Sequence, residues 1–307
     1  MSAGSDVGDQ PRVAVIIPCF NDAATLRESV ESVLNGGGNV ELVVVDDGST
    51  AASCIALLEE LKQTGVNVLH QTNQGPSAAT MAGLGATSAE YVMRLDADDL
   101  LEEGALASLA EALDCDPQAA AAWGDVQTFG LTTFRVPAAP SLDPWLLTYT
   151  NCIPGAGCLM RRCAVLDAGG WQLRDGWEDW DLWLALAGLG WKGVYLPRVA
   201  FRYRRDEQGR HTESLGDAAQ HYADLRRRHE ALFASRDENR RRSDAPRIVK
   251  VVVPLIEVLP RVPRLARIQL CELVTHLFWN GGTRATAVML RQAVAWRLAA
   301  RRRTATP

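Results

Sequence analysis

Four short runs of apolar or β-branched residues divide the first third of the chain, and the segments between them have helical spacing. The runs cover residues 13–17, 42–45, 66–69 and 91–95. Strands without polar alternation are typical of a parallel sheet that is covered on both faces. Apolar residues at helical spacing, such as Leu26, Val30 and Val33, predict the covering helices. The pattern therefore predicts an α/β fold with a mainly parallel central sheet.

A polar cluster follows each apolar run, at the point where the predicted strand ends. The clusters occupy residues 18–22, 46–50, 73–76 and 96–99. Any one of them has good turn and helix-cap chemistry, and alone it would be interpreted as structural. Ligands of parallel α/β sheets bind at the carboxyl ends of the strands, where such loops meet. Four polar loops on one edge therefore predict a binding site there.

The last cluster concentrates negative charge, with Asp96, Asp98 and Asp99 in four consecutive positions. Asp96 and Asp98 are two residues apart, so in an extended segment their side chains point to the same side. Two adjacent carboxylates repel unless a cation lies between them, and oxygen ligands of this kind suit Mg²⁺ or Mn²⁺. The structural alternative is a solvated acidic turn, in which Asp99 caps a helix predicted over residues 103–113.

Composition adds limits to this picture. The chain has 307 residues with 47% hydrophobic content, which is enough for a large core. Its seven cysteines form no Cys-x-x-Cys pair, so neither a disulfide framework nor a zinc site is indicated. No apolar run reaches the roughly 18 residues that span a bilayer, and we expect a cytoplasmic protein.

Charge is distributed unevenly along the chain. Residues 236–307 contain 15 Arg and Lys against 5 Asp and Glu, whereas residues 1–235 contain 17 against 32. Helices are predicted over residues 217–235 and 284–300, and arginines alternate with apolar residues between them. Such a tail can lie on an anionic membrane surface, peripherally at the inner face of the membrane, or it can pack on the acidic body. Nucleic-acid binding is disfavoured, because the tail has few aromatic residues and no nucleic-acid motif.

Three segments resemble the successive motifs of family 2 glycosyltransferases, which are inverting enzymes with a GT-A fold. They are VAVIIPCFNDAATLRESVESVLNGG…VELVVVDDGST, NQGPSAATMAGLGATSAEYVMRLDADD and GGWQLRDGWEDWDLWLALAGLG. The resemblance implies a GT-A domain over residues 12–210, with a nucleotide-sugar half at 12–114 and an acceptor half at 115–210. A flexible N-terminus at 1–11 and a helical, basic C-terminal extension at 211–307 complete the expected organisation.

The same resemblance implies roles for particular residues. The nucleotide would be held by residues of the four strand-end loops, namely Pro18, Asn21, Asp46, Asp47, Gly75 and Asp96. Asp96 and Asp98 would bind Mg²⁺ or Mn²⁺ at the diphosphate, with Asp99 assisting. Asp179 would be the general base, and Glu178 would support it. The alternative for Glu178 and Asp179 is a favourable interaction with the dipole of a helix N-terminus.

Several further residues have two interpretations. Trp177 and Trp180 form either a stacking wall for the acceptor or part of the core, to which Trp183 is assigned. His211 is a candidate third metal ligand or phosphate contact, or a surface histidine. Arg202 and Arg204 lie in a segment that resembles a family loop in which arginines near a diphosphate are expected; alternatively, they share the solvated face of an edge strand. The family often has Arg-Asn where this chain has Thr80 and Met81, which removes one expected nucleotide contact.

The predicted function is transfer of a sugar from a nucleotide-diphosphate sugar to a hydroxyl of a glycan, lipid or small molecule. The pathway would be that of a cell-surface glycan, a glycolipid or a secondary metabolite. A sugar nucleotidyltransferase is a rival, but its Gly-rich phosphate loop is absent after the first strand. A non-catalytic protein that retains the fold, as a sugar-nucleotide binder or membrane scaffold, would be expected to lack Asp98 or Asp179. A dinucleotide dehydrogenase is disfavoured, because residues 36–38 end a helix instead of opening one.

Overall fold

The computed structural model describes residues 11–174, 176–205 and 218–279, which form an α/β sandwich with a helical C-terminal region. The strands are β1 (Val13–Cys19), β2 (Val40–Asp46), β3 (Asn67–His70), β4 (Tyr91–Arg94), β5 (Leu100–Leu101), β6 (Ala119–Gly130), β7 (Arg135–Val136), β8 (Leu159–Arg161) and β9 (Lys192–Arg205). The helices of the body are α1 (Ala23–Asn35), α2 (Ala52–Gln63), α3 (Pro76–Ala86), α4 (Ala105–Cys115), α5 (Arg162–Asp167) and α6 (Glu178–Gly188). The C-terminal helices are α7 (Ala218–Arg228), α8 (Glu230–Ala234), α9 (Arg236–Arg242), α10 (Arg247–Glu257) and α11 (Arg264–Phe278), and a single 3₁₀ turn covers Leu146–Thr148.

The strands form one sheet in the order β3-β2-β1-β4-β8-β6-β9-β5, with β7 paired to β6. The first four strands of this order are parallel, as the apolar runs predict. Beyond β4 the sheet is mixed, because β8 runs antiparallel to both of its neighbours while β6 and β9 are parallel. The sheet is therefore mixed, with the fully parallel part in its first half.

Both faces of the sheet are covered, which explains why the early strands lack polar alternation. All seven residues of β1 are buried. Ala14 and Ile16 belong to one hydrophobic cluster, while Val15 and Ile17 belong to a second cluster on the opposite face. Successive side chains of a strand point to opposite faces, so each face of β1 has its own core.

The C-terminal helices share the first of these cores with the body. Tyr222, Val249 and Val253 are buried in the cluster that also contains Trp180 and Trp183 of α6. Polar contacts reinforce the packing, as in the hydrogen bond of 2.6 Å that the Tyr222 hydroxyl donates to the Thr148 carbonyl. Of the two interpretations of the tail, packing on the body therefore holds for residues 218–279. The helix predicted over 284–300 lies outside the described residues.

Two expectations for local structure are wrong. Helix α4 begins at Ala105 after Gly104, and the Asp99 carboxylate instead accepts a hydrogen bond from the Arg204 amide, so Asp99 does not cap this helix. Arg202 and Arg204 lie on β9, which pairs with β6 on one side and with β5 on the other, so β9 is not an edge strand. Among the described residues, no helix is both long and apolar enough to cross a bilayer.

Candidate active site

The loops after β1 and β2 are held together by polar side chains. Asn21, whose φ of 59° is unusual for a residue other than glycine, accepts hydrogen bonds of 2.9 Å from the amides of Thr50 and Ala51. Asp46 accepts a hydrogen bond of 2.8 Å from the Ser49 amide and contacts the His70 ring at 3.0 Å. Burial alone would raise the pKa of Asp46, but the bonds to Ser49 and His70 lower it. Pro18 is buried within β1, directly beside these loops.

Asp47 fixes the loop that leads into α3. Its Oδ1 accepts hydrogen bonds from the Gln71 side chain at 2.7 Å and the Gln74 amide at 2.8 Å, and its Oδ2 accepts one from the Gly75 amide at 2.8 Å. The Asp47 side chain is buried, so its observed role is to fix the shape of this loop. Gly48 has a φ of 78°, and a Cβ there would lie 2.8 Å from the Asn73 amide nitrogen, so this close approach requires glycine.

The acidic triplet after β4 is compact. Carboxylate oxygens of Asp96, Asp98 and Asp99 lie within 4.8 Å of one another. Asp99 is fully buried, and its Oδ2 has no hydrogen-bond partner among the described residues. Burial and the charges of Asp96 and Asp98 raise the pKa of Asp99 well above its ordinary value. Three clustered oxygen ligands with one unpartnered buried oxygen fit a divalent cation such as Mg²⁺ or Mn²⁺.

Arg94 joins this triplet to the start of α6. Its guanidinium lies 3.0 Å from Asp96 Oδ1 and 2.8 Å from Glu178 Oε1. The guanidinium is buried, and a buried cation requires carboxylate partners of this kind. Arg94 therefore sets the position of the Asp96 carboxylate relative to Glu178 and its neighbour Asp179.

Asp179 is half-buried at the N-terminus of α6. Its Oδ2 accepts a hydrogen bond of 3.0 Å from the Asn151 side-chain amide, and its Oδ1 accepts one of 2.8 Å from the Trp180 amide. A Cβ at Gly155 would lie 2.6 Å from Asp179 Oδ2, so glycine leaves the space that this carboxylate occupies. Burial and the nearby charge of Glu178 raise the pKa of Asp179 to about 6. A carboxylate with this pKa is suited to accept a proton near neutral pH.

The tryptophans around Asp179 divide between the core and the surface. Trp183 is fully buried, as predicted. Trp180 is also buried, and its indole donates a hydrogen bond of 2.8 Å to the Leu147 carbonyl, so it is a core residue. Trp177 is partly exposed and has a φ of 64°, which is a strained conformation for so large a side chain. Of the two candidate stacking residues, only Trp177 is partly exposed, and its ring also lies against Trp180 and His221.

Other predicted positions have simpler outcomes. His211 lies outside the described residues. Thr80 is buried and donates a hydrogen bond to the Pro76 carbonyl, while Met81 packs in the core beside Gly170, so neither replaces the missing arginine.

Three residues of the site do not follow from the sequence analysis: Arg94, Asn151 and Gly155. Arg204 is identified from the sequence, but its contacts are not. Arg204 donates hydrogen bonds to the Asp99 carboxylate and the Asp98 carbonyl, and so ties β9 to the acidic loop. The sequence contains a signal for Arg94 alone, because an arginine in an otherwise apolar strand must find a buried partner. Asn151 and Gly155 lie in an irregular segment whose partners are distant in sequence.

The fold is of the GT-A type, a class of α/β fold found in glycosyltransferases. Residues 14–164 match the family described as Glycosyl transferase family 2, and this part of the chain belongs to that family. Two curated relatives are similar over part of their length. They are the glycosyltransferase GlyG of Streptococcus pneumoniae, 35% identical over 102 residues, and the minor teichoic acid biosynthesis protein GgaA of Bacillus subtilis, 34% identical over 113 residues. The aligned part is 32% and 34% of this chain and spans 33% and 25% of those proteins.

Two solved structures have a similar fold. TarS of S. aureus, crystallised with UDP-GlcNAc, has a TM-score of 0.60 and 16% identity over 75% of this chain and 69% of that one. The mannosyltransferase PcManGT of Pyrobaculum calidifontis, in complex with GDP-Man and Mn²⁺, has a TM-score of 0.52 and 18% identity over 94% and 81%. At this identity the likeness concerns the fold.

Proposed function

We propose that the protein is an inverting, metal-dependent glycosyltransferase that uses a nucleotide-diphosphate sugar. The observation that carries the proposal is the connection from the acidic triplet through Arg94 to Glu178 and Asp179. In a family 2 fold, this connection brings a site for a diphosphate and a base with a raised pKa into one structure. Membership of the family supports the nucleotide sugar as donor.

The proposed mechanism assigns the proton transfer to Asp179. Its carboxylate accepts the proton of an acceptor hydroxyl while that oxygen attacks the anomeric carbon from the side opposite the diphosphate, which inverts the configuration. Asn151 and the Trp180 amide each occupy one lone pair of the carboxylate, which leaves capacity for the incoming proton. Glu178 keeps Asp179 basic by its charge, and Arg94 holds Glu178 in place.

On the donor side, Asp96, Asp98 and Asp99 would hold Mg²⁺ or Mn²⁺. When bound, the cation supplies charge stabilisation for the departing diphosphate. The loops built on Asn21, Asp46 and Asp47 would support the nucleoside, with Gly75 at the start of α3 offering a helix N-terminus to the phosphates. Pro18, buried in β1 beside these loops, would support the nucleoside as well.

For the acceptor, we propose a hydroxyl of a cell-surface glycan, with a glycolipid or a secondary metabolite as alternatives. The name of the teichoic acid relative supports a cell-surface polymer. Trp177, which is partly exposed two residues before Asp179 and packs against Trp180 and His221, would contact the acceptor with its exposed part.

The first experiment separates donor binding from transfer. A panel of UDP- and GDP-sugars is screened for slow hydrolysis with Mn²⁺ or Mg²⁺ to identify the donor. Calorimetry then measures the binding of the matching nucleoside diphosphate. We expect binding to need the metal, Asp98→Asn to weaken it sharply, and Asp179→Asn to leave it nearly unchanged while lowering kcat for transfer by about 10²–10⁴-fold.

The matched control is Asp224→Asn, which alters an exposed ion pair with Arg227 on α7. Equal nucleotide affinity with and without a chelator would remove the metal from the proposal. Full transfer by Asp179→Asn together with loss in Glu178→Gln would move the base to Glu178. Absence of hydrolysis across the whole panel, in a protein that still binds a nucleotide sugar, would favour the non-catalytic alternative.

A further inference from the structure

Helix α10 has two apolar faces, and only one of them is used for folding. The inner face is buried in the core shared with the body, through Val249, Val253 and Ile256. On the other side of the helix an apolar stripe faces solvent. It consists of Ile248, Val251 and Leu255 on the helix with Val258 and Leu259 directly after it, and their exposed fractions run from 38% for Leu259 to 72% for Val258. The spacing of 248, 251, 255 and 258 places these side chains on one side of the helix.

A cluster of cations borders this stripe. An open cleft between α9 and α10 is lined by Arg240, Arg241, Arg247, Lys250, Val251 and one acid, Asp237. In the described part of the chain, Arg240, Arg241 and Arg247 form no ion pair, whereas exposed Arg27 pairs with Glu60 and the neighbouring Arg242 pairs with Glu238. Val251 belongs to both the cleft and the stripe, so the positive charge and the apolar side chains are continuous.

We propose that this face of α9 and α10, which we call the basic-apolar face, docks on the surface of an anionic lipid bilayer. Unpaired arginines on one side of an exposed apolar stripe match the chemistry of the bilayer interface, where phosphate groups lie beside acyl chains. The helix contributes its other face to the core, so docking requires no unfolding of the body. The proposal concerns location and is independent of the catalytic assignment.

A second copy of the chain fits the same face less well. A two-fold contact through the stripe would bring the unpaired arginines of both copies close together, with only Asp237 in each cleft to offset them. Nucleic acid would use the cations but leave the apolar stripe exposed, because the stripe contains no aromatic residue for stacking on bases. An anionic bilayer satisfies both parts of the face at once.

The test is vesicle flotation of the full-length protein. Vesicles of phosphatidylcholine alone are compared with vesicles that also contain phosphatidylglycerol, at low and at physiological salt. We expect binding to the anionic vesicles, with weakening as salt rises, because exposed charges are screened within ~8 Å at physiological ionic strength. The triple variant Arg240→Gln, Arg241→Gln, Arg247→Gln should lower the partition coefficient roughly 100-fold, which corresponds to about a fivefold loss per cation.

A second variant tests the apolar part separately. Val251→Ser with Leu255→Ser should reduce binding by at least about tenfold, because two side chains lose their burial in the acyl region. The matched control changes exposed residues on α1 and α2, with Arg27→Gln, Lys62→Gln and Leu34→Ser combined, and should float as the parent does. Because these side chains are exposed, apart from the half-buried Arg240, each variant should keep the thermal unfolding and the nucleotide-sugar hydrolysis of the parent.

Three results would overturn the proposal. One is equal flotation with neutral and anionic vesicles, or no flotation with either. Another is parental binding by both variants, since the attachment would then lie elsewhere in the chain. The last is self-association, seen by light scattering, that the serine variant abolishes while vesicle binding is absent, which would assign the face to a second copy.

Discussion

Two charged neighbours act on Asp179 in opposite directions. Glu178 adds negative charge beside it and raises its pKa, whereas the Arg94 guanidinium lowers it. Burial contributes the largest part of the rise. The carboxylate is consequently protonated at mildly acidic pH and ionised at neutral pH, where its proposed role as a base requires the ionised form.

The raised pKa of Asp179 predicts how the rate of transfer depends on pH. For the wild-type protein, kcat/KM for transfer should fall on the acid side as pH drops through about 6. In Glu178→Gln the neighbouring negative charge is removed and Arg94 loses a partner, so the ionised form of Asp179 is favoured. The acid limb should then move to lower pH, as measured by the pH profile of kcat/KM, which reports the free enzyme.

A control for this prediction is Glu90→Gln, which changes an exposed carboxylate paired with Arg12, far along the chain from α6. Its pH profile should match the wild type. If the acid limb in Glu178→Gln stays where it is, or moves to higher pH, then Asp179 is not the group whose ionisation controls the reaction.

Some residue pairs of the site follow from the sequence, and others do not. The proximity of Asp96 and Asp98 follows from their spacing at a strand end, and the structure has them in one cluster. The contact between Arg94 and Glu178 joins residues 84 positions apart, and that between Asn151 and Asp179 joins residues 28 apart across an irregular segment. Such pairs depend on the register of β4, β8 and the loops between them, which no local pattern specifies.

Among the elements, the first half of the sheet was the most predictable part. Strands buried on both faces produce continuous apolar runs, and β1 to β4 lie at the predicted runs within a few residues. The order of strands beyond β4 was not predicted. Neither strand has a simple apolar pattern: β6 begins with buried alanines and ends with polar residues, and β9 contains four arginines. The register between β6 and β9 also shifts at several points along their length. Their pairing is tertiary in origin.

The connection between α6 and the C-terminal helices depends on one buried carboxylate. Asp181 contacts Arg228 Nε at 2.8 Å and His229 Nε2 at 2.7 Å, at the end of α7 and just before α8. Although burial would raise the pKa of Asp181, the contacts with His229 and Arg228 lower it. These contacts hold the helical region against the helix that begins with Glu178 and Asp179.

We expect Asp181→Asn to lower the free energy of unfolding by about 3 kcal/mol, because it removes the charge from a buried ion pair and leaves its cationic partner poorly compensated. Urea denaturation, followed by circular dichroism, measures the loss. Asp224→Asn breaks an ion pair of α7 whose arginine is exposed, and should cost less than about 1 kcal/mol. Equal losses in the two variants would contradict the anchoring role of Asp181.

At the scale of the whole molecule, the charges of the acidic body and the basic tail are compatible with two arrangements: the tail packs on the body, or it lies on a membrane surface. The structure joins residues 218–279 to the body mainly through apolar side chains in a shared core, with Asp181 as a local ionic contact. Net charge could not reveal this, because long-range attraction has no geometric specificity whereas a core requires particular surfaces to fit. The opposite, exposed side of α10 takes no part in this packing, and it is the surface that we propose docks on a membrane.

This arrangement makes the two faces of α10 experimentally separable. Val253 is fully buried in the shared core, so Val253→Ala should lower the free energy of unfolding by about 2 kcal/mol through lost contacts and a cavity. Val251, which is 52% exposed, is its matched control, and Val251→Ala should change stability by less than about 0.5 kcal/mol.

Truncating the chain tests the same shared core on a larger scale. Ending the chain at residue 239 would shorten α9, remove α10 and α11, and uncover the core side chains that they bury, including those around Tyr222 and Trp180. We therefore expect the shortened protein to aggregate or to lose cooperative unfolding in urea. A shortened protein that stays monomeric, unfolds in a single transition and still binds a nucleotide diphosphate would show instead that the body folds alone. In that case the shared core would be a docking contact between independent units, and the loss in Val253→Ala should fall to the small value of its control.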